Sequence, residues 1–394
     1  MDIARCLVTP EHRPISCIEM QTTGEPTRIV FEGYPELSGT LLEQRAEAKR
    51  KYDHIRRRLM LEPRGHFDMY GAVLRKETEL TKSGEAHIGV MFMTNDGYST
   101  MCGHATIALG RFLLDTHDLN TFPRRNEVKH DPMAKTALVN LHCPSGLLKV
   151  TVPVNDDGSA SDPSRPVSFL SVPSFATGID VTILVPPEYQ WTELQGKSKE
   201  IHVDFSYGGA FYCMVSATEL GFPARLENDK VDQLDKATAL LKKYINSTPD
   251  LYKYFRHPGH DDLGFLYSIM VVDDTAKARG SEVGLCFFAN QQIDRSPTGG
   301  AVAARVALAY AKGNRQLGEA WAYHSLVSAS GHGPPFLGTV VEELPERYPE
   351  IPYPLVRVMG EGQAFYTGFS TFAVEEEDPL GDGGFVFKDC KPAR

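Results

Sequence analysis

One short pattern occurs twice in this chain, and the repeat limits the folds open to it. Cys102-Gly103-His104-Ala105-Thr106-Ile107-Ala108 aligns with Thr298-Gly299-Gly300-Ala301-Val302-Ala303-Ala304. Both copies follow a polar turn, and both open an apolar run at helical spacing. Upstream, Asp68-Met69-Tyr70-Gly71-Ala72 resembles Ser206-Tyr207-Gly208-Gly209-Ala210. Self-similarity of this kind predicts two halves of one architecture. A chain of 394 residues, 42% hydrophobic, is long enough to bury two cores.

Composition narrows the function. The formal net charge of −10 argues against a general nucleic-acid binder. It leaves small anionic ligands open, because local dipoles can outweigh net charge. Seven cysteines are scattered, odd in number, and spaced neither as a zinc knuckle nor as a redox pair. Reduced thiols in a cytoplasmic protein are the expectation. Met1 to Met20 has no uninterrupted apolar core, so no secretory signal is expected. No run approaches the roughly 18 apolar residues of a membrane helix.

Along the chain, alternation predicts strands at Ile15–Met20, Phe67–Leu74, Ala86–Met93, Ile179–Val185, Ile201–Phe205, Phe265–Val272 and Glu282–Phe288. One helix is expected over Leu41–Met60, with the basic run Lys49–Arg58 as a solvated face. Further helices follow Gly103, span 227–256 and cover Ala301–Ala311. Asn155–Pro166 and polar stretches near Lys197 and His257–Asp262 are read as surface decoration. His66 and Asp68 are spaced as a metal pair, but no third ligand lies nearby, and no metal site is expected.

The chemistry of the repeat lies at its helix starts. A cysteine just before a helix sits near free N–H groups and the positive dipole end, which favour its thiolate. A buried structural cysteine is the competing reading of Cys102 alone. If two halves bring both helix starts to one cleft, their N–H groups form an anion site. Backbone at Gly103, His104, Gly299 and Gly300 could then hold a substrate carboxylate. Such a site would stabilise charge developing at the adjacent carbon as its proton leaves.

These residues resemble the proline racemase family. Met101-Cys102-Gly103-His104 is similar to its first catalytic motif, and Asp294-Arg295-Ser296-Pro297 followed by x-Gly to its second. Thr23-Gly24-Glu25-Pro26, Glu62-Pro63-Arg64-Gly65-His66, Tyr207-Gly208-Gly209 and Tyr366-Thr367-Gly368 to Phe372 extend the likeness over roughly 15–387. The resemblance implies an α/β (α+β) fold like diaminopimelate epimerase. Each of its two pseudo-symmetric domains would be a curved sheet around a central helix, with the active site in the cleft. The expected boundaries are 1–175 plus 360–394, carrying Cys102, and 176–359, carrying Asp294 and Thr298.

In racemases and epimerases of this family, two cysteines flank the substrate α-carbon. Here the positions are Cys102 and Thr298. A threonine hydroxyl is a poor carbon base near neutral pH, but it can orient a departing hydroxyl. The pair therefore suits one-sided proton removal with β-elimination, and the resemblance is closest to the dehydratases that act on trans-3-hydroxy-L-proline. It implies Asp294 paired with the ring ammonium and His104 as a polar contact beside it. No cofactor is expected, since a secondary amine suits pyridoxal chemistry poorly. A small hydroxylated imino acid is the expected partner, and a homodimer is compatible with the resemblance. The alternatives are a proline or 4-hydroxyproline racemase or epimerase, and an inactive imino-acid-binding protein. One departure is Gln21-Thr22, where the family usually carries His-Thr.

Overall fold

The computed structural model describes residues 13–196, 200–273, 275, 281–346, 348–375, 377–381 and 383–390. Cys6 and Lys197 lie outside them. Two compact units emerge, the first from Met1–Thr100, Ala105–Val167 and Gln363–Arg394, the second from Met101–His104 and Ser168–Gly362. Met101–His104, the cysteine motif, thus groups with the second unit.

In the first unit the pairing runs in one continuous series. Ile15–Thr22 lies antiparallel to Glu25–Glu32, which runs parallel to Gly71–Arg75. Gly71–Arg75 is antiparallel to Ile88–Met93, which is parallel to Thr136–Cys143, itself antiparallel to Gly146–Pro153. Ala364–Phe372 closes the far side against Ile15–Thr22. The first hairpin turns at Thr23 and Gly24, both at positive φ, the geometry a two-residue hairpin needs. Gln21 secures that turn by accepting the Gly24 N–H at 2.8 Å. This gives the departure from the family's usual histidine a local role.

The second unit repeats the order. Glu200–Tyr207 is antiparallel to Phe211–Ser216, then parallel to Leu266–Val272, antiparallel to Ser281–Phe288, parallel to Ala320–His324 and antiparallel to Phe336–Glu343. Phe175–Leu184 extends it on the Glu200–Tyr207 side. The duplication seen in the sequence is therefore a duplication of topology. It also corrects one alignment. Tyr207–Ala210 occupies the first hairpin of its unit, where the other unit has Thr23-Gly24, whereas Gly71–Arg75 is a strand one step further on. The Asp68–Ala72 likeness is local glycine chemistry, not structural equivalence.

Each series leads into a helix of 13 residues, Gly103–Asp115 and Gly299–Ala311, preceded by a two-residue strand folded back on the one before. Both helices are apolar on all faces, the pattern of a helix inside a sheet. Every residue from Gly299 to Ala309 is buried. In the first unit the sheet contributes Val150 and Val152 against Gly110 and Phe31 against Phe112. In the second, Val302 and Val306 pack over Gly338. Buried Arg305 is neutralised by Glu282 at 2.8 Å, and buried Arg111 bonds Ser161 Oγ at 3.0 Å.

The helix expected over Leu41–Met60 is two helices, Leu41–Lys51 and Asp53–Met60, broken at Tyr52 with φ −124°. The basic run is not wholly solvated either. Arg56 is buried, bonding Asp53 at 2.6 Å and the Thr94 carbonyl at 2.8 Å, and Arg58 bonds the Gly381 carbonyl at 2.7 Å. Periodicity shows which positions share a face; it does not show that backbone carbonyls will meet an arginine there.

Candidate active site

Cys102 immediately precedes one buried helix, and Thr298 caps the other. The two helix starts touch. A Cβ on Gly103 would overlap the Gly299 Cα, and one on Gly299 would stand 2.5 Å from the Gly103 Cα. Only glycine permits so close a backbone approach. Neither first turn carries an acidic residue. First-turn N–H groups and two positive dipole ends thus collect at one place, where a carboxylate would be favoured.

Around this contact, a thiol, an imidazole and a carboxylate follow in sequence. His104 Nδ1 and Nε2 lie 3.2 and 3.5 Å from Cys102 Sγ. Its Nδ1 is 3.8 Å from Asp294 Oδ2. The three are 6%, 2% and 3% exposed, so their charges interact with little screening. An imidazole N–H directed at the sulfur favours the thiolate.

The second motif is held by its own side chains. Asp294 Oδ1 accepts the Ser296 N–H at 2.7 Å, and Ser296 Oγ accepts the Thr298 N–H at 3.1 Å. The Asp294 N–H donates to the Cys286 carbonyl at 3.1 Å. These side-chain-to-backbone bonds shape the turn that ends at Thr298. Thr298 itself sits at φ +63°, a conformation that is an outlier for a β-branched residue. Strain of this kind costs on the order of 1–3 kcal/mol and concentrates at functional sites.

The Thr298 hydroxyl is buried without a well-formed hydrogen bond. It lies near the Cys286 thiol without a hydrogen bond that satisfies it. Cys286 Sγ is 2.8 Å from Ser268 Oγ. Burial, reinforced by the charge of Asp294, pushes this thiol up to about 12, so it stays protonated. Tyr212 stands against the same helix start, its hydroxyl 2.5 Å from where a Gly300 Cβ would be. Burial above all keeps it a neutral phenol. Gly208 packs against the Gly300 carbonyl so closely that a Cβ would overlap it.

All seven residues singled out in the sequence therefore lie at or beside the two helix starts: Cys102, Gly103, His104, Asp294, Thr298, Gly299 and Gly300. Sequence reasoning missed Ser268, Cys286, Ser296 and Tyr212. Ser296 was visible inside its motif, as a short hydroxyl between Asp294 and Thr298. Cys286 and Ser268 carried no signal, being two small residues on different strands.

The proline racemase family model matches residues 17–386. The chain is 41% identical over 387 residues to the trans-3-hydroxy-L-proline dehydratase of Homo sapiens, covering 96% of this chain and 97% of that one. It is 31% identical over 387 residues to proline racemase A of Trypanosoma cruzi, covering 95% and 82%. Its fold is similar to a hydroxyproline epimerase from Agrobacterium vitis solved with trans-4-hydroxy-L-proline bound. That structure gives a TM-score of 0.75 and 23% identity, with 96% of each chain covered.

Proposed function

We propose that this chain, which belongs to the proline racemase family, is a hydro-lyase that converts trans-3-hydroxy-L-proline to Δ1-pyrroline-2-carboxylate. One observation carries the choice within the family. Opposite the Cys102 motif stands a buried, unsatisfied hydroxyl, Thr298 Oγ1, instead of a second thiol. The similarity to the dehydratases supports the same reading.

The substrate carboxylate binds the N–H groups where Gly103 and Gly299 meet. Asp294 balances the ring ammonium, with His104 beside it. Cys102, as thiolate, takes the α-proton, and the helix dipoles stabilise the charge that builds toward the carboxylate. The C3–O bond then breaks. Thr298 hydrogen-bonds the departing oxygen, which gives its hydroxyl the partner it lacks in the free protein. The departing hydroxide takes up the proton that Cys102 removed, so water leaves, the thiolate is restored, and the enamine tautomerises to the cyclic imine. These steps use side chains and backbone alone. The six cysteines of the described residues are free thiols, which supports a reducing, cytoplasmic setting.

The test is product analysis of reduced protein with the 3-hydroxyproline stereoisomers. Loss of water from trans-3-hydroxy-L-proline is expected. Racemisation of proline in heavy water at a comparable rate would instead favour the racemase reading, which needs a second carbon base at position 298.

A further inference from the structure

Behind Thr298 lies a polar pair that the mechanism above does not use. Ser268 sits on Leu266–Val272 and Cys286 on Ser281–Phe288. These strands pair antiparallel, with Met270 opposite Cys286 and Ser268 opposite Phe288. Ser268 and Cys286 are therefore diagonal neighbours on one face. Their side chains meet at 2.8 Å with 0% and 1% exposure. Cys286 is also tied to the site through its carbonyl, which accepts the Asp294 N–H. Its thiol lies beside the Thr298 hydroxyl.

We propose that Cys286 and Ser268 are positioning residues that set the direction of the Thr298 hydroxyl for β-elimination. A threonine hydroxyl has one proton and can rotate it. To assist a leaving group it must donate toward C3 of the substrate. Ser268 Oγ–H directed at Cys286 Sγ, and Cys286 Sγ–H directed at Thr298 Oγ1, leave the threonine proton free to point outward at the substrate. Each group in this series donates in the same direction. No bond is made or broken in the pair. The sulfur supplies a donor as long as it remains a thiol, and its burial keeps it one. Alignment alone is a sufficient lever, since small misplacements of a group at the reacting centre cost about 100-fold in rate.

This inference rests on the dehydratase reading, and one set of measurements separates the two. Dehydration of trans-3-hydroxy-L-proline and exchange of its α-hydrogen in heavy water are followed together for wild type, Cys286→Ala, Cys286→Ser and Ser268→Ala. Cys286→Ala is expected to lower the kcat of dehydration about 10- to 100-fold with KM little changed. Exchange at the α-carbon, which depends on Cys102, continues. Cys286→Ser keeps a donor at this position and recovers most of the rate, and Ser268→Ala falls between. An active wild type with Cys286→Ala unchanged overturns the inference and leaves the function standing. So does a parallel fall of exchange and dehydration, the sign of a merely structural role. A wild type that yields no imine overturns the proposed function and this inference with it.

Discussion

The Cα of Gly299 occupies the space that a side chain on Gly103 would need. Two helices consequently begin in van der Waals contact, and the N–H groups of their first turns serve one small volume. Gly103→Ala or Gly299→Ala must move one helix start, because backbone cannot yield as a flexible side chain would. Each is expected to lower kcat/KM at least about 100-fold. The double variant should cost far less than the sum of the singles, because both remove one contact. Steady-state kinetics on the three variants test this.

Cys102→Ser exchanges a thiol for a hydroxyl of nearly the same shape. The hydroxyl is a far weaker carbon base, so turnover should fall by about 10³-fold or more, within the range that general-base losses give. Substrate affinity, measured by calorimetry, should change little because carboxylate and ammonium keep their partners. Substantial residual dehydration would place the base elsewhere.

Thr298→Val keeps the β-branched shape and removes the unsatisfied hydroxyl. Burying an unpaired polar group costs on the order of 1–3 kcal/mol. The variant should therefore be more stable by about 1 kcal/mol while losing most of its dehydratase activity. Denaturant unfolding and initial rates, measured on the same preparation, check both halves. A loss of stability would mean that the hydroxyl already donates its proton to a partner in the folded protein.

Acid should weaken the second unit through His257. Its Nδ1 accepts the N–H groups of Gly259 and His260 at 3.1 and 3.2 Å, and its ring packs 4.9 Å from Tyr207. Burial, then the neighbouring His260, lower its pKa to about 4. The unfolded chain takes up this proton near 6.5, before the folded one does. Stability is thus unaffected above pH 7 and is lost as pH falls from about 6.5 toward 4, by up to roughly 3 kcal/mol. Unfolding curves at pH 7 and 4.5 should show the loss, and His257→Asn should reduce it.

Much of this protein was legible in its sequence. The repeat around Cys102 and Thr298 marked two equivalent buried helices, because helical periodicity and an all-apolar surface are local properties of a chain. The motif residues Asp294 and His104 were visible too, since both lie within a few residues of a helix start. The Tyr52 break and the burial of Arg56 and Arg58 were not, because each depends on carbonyls and side chains brought by other segments. Cys286 and Ser268 show the limit best. Their sequence separation is 18 residues, and only the strand register makes them neighbours. The sequence by itself determined which residues could act as base, anion holder and hydroxyl donor. Tertiary structure alone decided that Gly103 meets Gly299 and that Thr298 is left without a satisfying partner, because contact between distant segments is set by packing, not by composition or period.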